Sequence, residues 1–119
     1  MGTLVWTTPS AICFQINRSD VFAVNKEHGG SFAGPIDQFW GACAQIAIDV
    51  GGQPFVAGQA FAQRLSLYEA ESTISGEAVS VRCFVSAATD VLAIEIDDRR
   101  PEPQPVRLTV SMWRAPEVT

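Results

Sequence analysis

The stretch EAVSVRCFVSAATDVLAIEIDD, residues 77 to 98, decides the fold. Val79, Val81, Cys83 and Val85 recur at every second position with Ser80 and Arg82 between them, and Leu92, Ile94 and Ile96 repeat the rhythm. A period of two puts alternate side chains on opposite faces of an extended chain, so each run reads as a strand with one apolar and one mixed face. Between them Ala88-Thr89-Asp90 supplies turn chemistry, too short for anything but an antiparallel connection.

The same alternation extends outward in both directions. In SAICFQINR (10 to 18) Ile12, Phe14 and Ile16 share a face, and in GACAQIAIDVGG (41 to 52) the set is Ala44, Ile46, Ile48 and Val50, ending on the breaker Gly51-Gly52-Gln53-Pro54. Near the end, VRLTVSMWR (106 to 114) aligns Val106, Leu108, Val110 and Met112 as an inward row. Arg18-Ser19-Asp20 and Ser75-Gly76-Glu77 are further turns. The segment from Asp97 to Pro105, with three prolines among polar residues, reads as a wide hairpin loop because alternating strands flank it. AFAQRLSLYEAE (60 to 71) has helix-favouring composition, yet Phe61, Leu65 and Leu67 lie at even spacing, with Gln63 as the flaw in that row; strand is the reading preferred. Seven or eight short alternating strands in this length predict an all-β antiparallel β-sandwich.

Composition excludes several function classes. The 119 residues are 47% hydrophobic and 18% charged, enough apolar surface for one folded unit. A net charge of -5, with eight basic residues and no cluster beyond Arg99-Arg100, lacks the basic face a nucleic-acid partner requires. The longest apolar run falls far short of a spanning helix, so the chain is expected to be soluble, with no membrane partner. The first ten residues show no signal-peptide pattern, and the compartment stays unknown. Cys13, Cys43 and Cys83 are odd in number and widely spaced, with one histidine in the chain, and read as free buried thiols; no metal site and no cofactor is expected.

Candidate binding residues gather in NKEHGGSFAGPIDQFWG (25 to 41), the longest segment without alternation. Polar groups beside an aromatic plate suit a carbohydrate, whose hydroxyls take paired polar partners while its apolar face stacks on Trp; His28, Asp37 and Trp40 are the substrate-binding candidates. The plainer alternative is a solvated loop pinned to the core by Phe39 and Trp40. Asp20, Glu27 and Asp37 could supply a glycosidase's two carboxylates, but thirteen acidic residues generate such pairs anywhere. Asp97-Asp98 beside Arg99-Arg100 reads as a solvated charged turn. No GxSxG elbow is present, so no catalytic residue is assigned.

FQINRSDVFAVN (14 to 25), AQRLSLYEAESTISGEAVSVRCFVSAATDVLAIEIDD (62 to 98) and PVRLTVSMWRAP (105 to 116) resemble, in order and spacing, the N-terminal β-sandwich domain of glycoside hydrolase family 95 and its uncharacterised bacterial relatives. The likeness to those relatives extends to VWTTPSAICFQINRSDVFAVN, from Val5. It implies a supersandwich-like fold, strand over helix for Phe61 to Tyr68, and a larger enzyme whose (α/α)6 barrel holds the catalytic acid. The chain would then be part of that domain, beginning within it, without turnover of its own. The segment from 25 to 41 is where it departs most from the family pattern. A free-standing sandwich that binds a glycan or a protein is the alternative. A sandwich lacking an outer strand or a docking partner exposes edges and apolar surface around residues such as Trp6, Phe84 and Trp113, so a homo-oligomer is expected.

Overall fold

The computed structural model describes residues 2–18, 23–24, 38–39, 43–102 and 104–112. Among them the chain forms ten strands and no helix: β1 (Gly2–Thr7), β2 (Ala11–Asn17), β3 (Ala23–Val24), β4 (Gln38–Phe39), β5 (Ala44–Asp49), β6 (Ala62–Ser66), β7 (Glu71–Ser75), β8 (Val79–Ser86), β9 (Val91–Asp98) and β10 (Arg107–Met112). Two four-stranded antiparallel sheets result, one in the order β1-β2-β5-β10 and one in the order β6-β7-β8-β9, while β3 and β4 pair with each other. The second sheet is a simple meander, as short turns between consecutive alternating runs demand.

The apolar rows meet between the sheets. Ile12 and Phe14 on β2, Ile48 on β5, Val50 just after it, Ile74 on β7 and Val79, Val81 and Cys83 on β8 form a buried cluster, with Phe55 closing one end. Val5, Ile46, Phe61, Leu92, Ile94 and Ile96 pack around it. The faces assigned from the alternation of β2, β5, β8 and β9 are therefore the faces buried. Phe14 and Ile12 are wholly buried, which makes β2 the centre of the first sheet's contribution.

The turns are built from local chemistry. The β6–β7 and β8–β9 connections, 67–70 and 87–90, each end on a residue with positive φ, Ala70 at 52° and Asp90 at 51°. The Asp90 amide donates to the Ser86 carbonyl at 3.0 Å. In the β7–β8 turn the Gly76 amide donates to the Val79 carbonyl at 2.9 Å and the Glu77 amide to the Pro54 carbonyl at 2.9 Å. Only glycine fits at Gly76, since a Cβ there would run into the Pro54 carbonyl oxygen and the Phe55 ring.

The ambiguous segment resolves as strand and turn. Gln63, which broke the even-spaced row, lies opposite Ile74 and shares its face, and its amide donates to the Val5 carbonyl of edge strand β1 at 3.3 Å. A polar residue at an inward position is thereby used to tie the two sheets at their rim.

Two expectations are corrected. Asp97 to Pro105 is no hairpin loop: β9 and β10 belong to different sheets, so the segment crosses from one to the other. The turn-forming prolines were compatible with either connection, and only the partner strand distinguishes them. The row on β10 is not covered either. Leu108 pairs with Ile48, Val110 with Ile46 and Met112 with Ala44, which aims the row toward the core side, yet Leu108 is 63% exposed, Val110 60% and Met112 72%, with Val106 at 57%.

Candidate functional site

Three surfaces carry enough chemistry to be weighed. The first is the outer face of the second sheet. The register sets Arg64, Thr73, Arg82 and Glu95 in one cross-strand row and Ala62, Ser75, Ser80 and Asp97 in the next, lining a shallow groove of about 500 Å³. Arg82 is held between two carboxylates: its Nε donates to Glu71 at 2.6 Å and its Nη1 to Glu95 at 3.3 Å. The guanidinium also lies 5.4 Å from the centre of the Phe84 ring. These hydrogen bonds raise its already high pKa, that with Glu71 being the larger. Arg82 is thus a cation already paired with two carboxylates, whereas Arg64 has no ion-pair partner among the described residues. The groove offers hydroxyls and one free guanidinium, and no aromatic side chain among the described residues lines it; the Phe84 ring beyond it is already met by Arg82.

The second surface is the end of the sandwich where the connections 50–61, 76–78 and 99–106 meet. Arg100 organises it. Its Nε and Nη2 grip Asp98 at 2.8 and 2.6 Å, and its Nη1 and Nη2 donate to the carbonyls of Gly51 and Val50 at 2.7 and 2.6 Å. The guanidinium bridges the end of β9 to the end of β5 and so ties the sheets opposite the Gln63 link. With only 13% of its side chain exposed, it satisfies two carbonyls at the rim of the core. Asp98, hydrogen-bonded by that guanidinium, is lowered from 3.8 to about 2. The neighbouring pair, Arg99 with Asp97 at 2.6 Å, is solvent-exposed. Half of the segment read as a solvated charged turn is therefore a structural clamp. A crevice of about 620 Å³ beside it is lined in part by Gln53, Gln59 and Gln104, together with Glu77 and Glu102.

The third surface is β10. Its apolar row faces the side on which the core lies, and no strand of the second sheet covers it. Edge strands normally suppress pairing with inserted charge. β9 does so with Glu95, Asp97 and Asp98, and β6 with Arg64, whereas β10 carries one charge, Arg107, at its very start.

The candidates His28, Asp37 and Trp40 lie outside the described residues, as do Asp20, Glu27 and Trp113. Of that segment only the backbone pairing of Ala23 with Phe39 and Val24 with Gln38 is described. Trp6, read as falling opposite its strand's apolar row, is 41% exposed and sits opposite Cys13 on the outer face of the first sheet. The three cysteines are free thiols, with Cys83 buried and the other two partly so. Burial pushes the Cys13 and Cys83 thiols up, the latter offset in part by a hydrogen bond from Ser72. Such thiols are poor nucleophiles at neutral pH. No group of three or more metal-ligating side chains occurs among the described residues. What the alternation could not announce was the clamp of Arg100 and Asp98, whose partners are carbonyls some fifty positions away; the Gly51-Gly52 breaker marked where they turn, not what they meet.

No family model matches the chain, and neither any curated protein nor any solved structure does.

Proposed function

We propose that this chain is a non-catalytic β-sandwich portion of a glycoside hydrolase-like protein, with a structural and substrate-lining role. The observation that carries the reading is the row Leu108, Val110, Met112: an edge strand whose core-side face is left open has the form of a module that completes its packing against another polypeptide. The four-on-four antiparallel architecture agrees with what the family resemblance implies, and the two basic residues best fixed by the fold, Arg82 and Arg100, serve carboxylates and carbonyls of the chain itself. In this role the segment from 25 to 41, with His28, Asp37 and Trp40, supplies the carbohydrate contacts.

Incubation of the purified chain with aryl glycosides tests the non-catalytic half: no release of the aryl group above buffer is expected, and turnover abolished by a single carboxylate substitution would overturn it. For the substrate-lining half, oligosaccharide titrations should show binding weakened at least tenfold in a His28→Ala, Trp40→Ala double variant; unchanged affinity removes that segment from the site.

A second reading, a free-standing module binding a glycan or a protein, is favoured by the groove on the second sheet, where unpaired Arg64 stands beside Thr73, Ser75 and Ser80. Loss of binding on Arg64→Ala, with the double variant unaffected, would select it.

A further inference from the structure

We infer that the open edge of β10 is the dimer interface of this chain, two copies pairing their β10 strands antiparallel about a two-fold axis through Thr109. The inference rests on the proposed function only in treating β10 as the place where this chain meets another polypeptide. It adds the occupant, a second copy, and the register.

A two-fold axis perpendicular to the sheet keeps the same face of both copies on the same side. Paired residues must then belong to the same row, and a slip by one position would set the apolar row of one copy on the polar face of the other. Only registers centred on a residue survive. Centring on Leu108 would bring Pro105, which lacks an amide hydrogen, into the ladder opposite Ser111. Centring on Val110 would leave Val106 without a counterpart in the strand, which ends at Met112. Centring on Thr109 pairs Val106 with Met112 and Leu108 with Val110, so all four exposed apolar residues find apolar partners, and the ladder stops short of Pro105.

Charge agrees. In this register the strand's only ionic side chain, Arg107, faces Ser111 of the other copy rather than another arginine. Self-pairing of β9 centred on Ile96 would set Glu95 against Asp97, and self-pairing of β6 centred on Arg64 would bring two copies of that arginine together. The edge of β1 is already engaged through Val5 by Gln63. Val106 and the three exposed apolar residues of β10 together present apolar area on the order of 400 Å² per copy, the size at which a patch on a monomer marks an interaction site; edge pairing sets the two patches side by side and buries their flanks, less than a standard interface buries. The strand backbone and the polar row of Arg107, Thr109 and Ser111 add to it. A reversible dimer is the expected strength.

The 119-residue chain should behave as a dimer by size exclusion with light scattering at ~200 µM and dissociate toward monomer at ~2 µM. The register is tested by cysteine substitution under mild oxidation, with the unaltered chain as control for Cys13 and Cys43. Thr109, exposed on the outer face, meets its own copy at the axis within disulfide reach, whereas residue 110 is displaced from its copy by two positions and lies beyond ~7 Å. Thr109→Cys should therefore form a covalent dimer in at least tenfold higher yield than Val110→Cys. Val110→Lys should be monomeric at every concentration while keeping a β-type circular dichroism spectrum; if it fails to fold, the Thr109→Cys result still decides. A monomer at ~200 µM whose Thr109→Cys form does not cross-link overturns the inference, as does a dimer that cross-links equally through both positions or through neither. The outcomes separate from those of the function: a monomer without glycosidase turnover removes the second copy and leaves the structural reading, and a dimer with turnover does the reverse.

Discussion

Strands β9 and β10 carry the same alternation and have opposite fates. Leu92, Ile94 and Ile96 of β9 pack against the central cluster, while Leu108, Val110 and Met112 of β10 stand mostly in solvent, although both rows turn toward the core side of their sheets. Both are edge strands. The difference lies in what faces them, because periodicity determines the side a residue takes and the opposing layer determines whether that side is buried. Their free edges differ as well: β9 is blunted by three carboxylates, and β10 has one arginine at its start.

Truncating the two kinds of row should give the widest separation. Phe14→Ala, which empties the centre of the buried cluster, is expected to cost about 3–5 kcal/mol, and Ile74→Ala about 2–5 kcal/mol, by urea unfolding. Leu108→Ala in dilute solution should cost less than about 1 kcal/mol, because most of its side chain is already hydrated. Equal costs at positions 74 and 108 would mean that β10 is covered in the monomer and would remove the comparison.

The clamp that joins the ends of β5 and β9 comes next. Arg100→Met keeps the length of the stem but leaves the Val50 and Gly51 carbonyls without their donor, which should cost about 2 kcal/mol in the same unfolding measurement. The clamp has a pH signature. Asp98 is held down to about 2 chiefly by its hydrogen bonds from Arg100, so its folded value lies below its unfolded one. Its contribution is complete above the ordinary carboxylate range and is lost as pH falls from about 4 toward 2. The fall in stability over that window should be steeper in the unaltered chain than in Asp98→Asn; parallel curves would show that the pair does not act in the folded state.

The smallest effect belongs to the turns. Ala78 adopts a φ of 52°, a region glycine enters without penalty, and Ala78→Gly should raise stability by roughly 0.5–1 kcal/mol. A loss on that substitution would show that the turn is not strained.

How far the fold could be read from the residues follows from the same physics. The inward rows of β2, β5, β8 and β9 were legible because alternation is a local property, and the turns Ser75-Gly76-Glu77 and Ala88-Thr89-Asp90 stand where turn chemistry placed them. Partnership was not legible. Nothing local in Asp97 to Pro105 distinguishes a hairpin from a crossover between sheets, and nothing in VRLTVSM tells whether a second layer lies opposite it. Gln63 looked like an error in an apolar row because its acceptor, the Val5 carbonyl, is 58 positions away. Of the candidate site, His28, Asp37 and Trp40 lie outside the described residues, so that reading stands on residue chemistry alone.

The central claim is that the free edge of β10 is unpaired in the single copy and paired in the assembly, while β8 is flanked by β7 and β9 in both. Amide hydrogen exchange read peptide by peptide tests it most directly. Residues 79–86 should show the same strong protection at every protein concentration, and 107–112 should exchange many times faster in dilute solution and gain protection as concentration rises. Protection of 107–112 equal to that of 79–86 in dilute solution, with no dependence on concentration, would contradict the account.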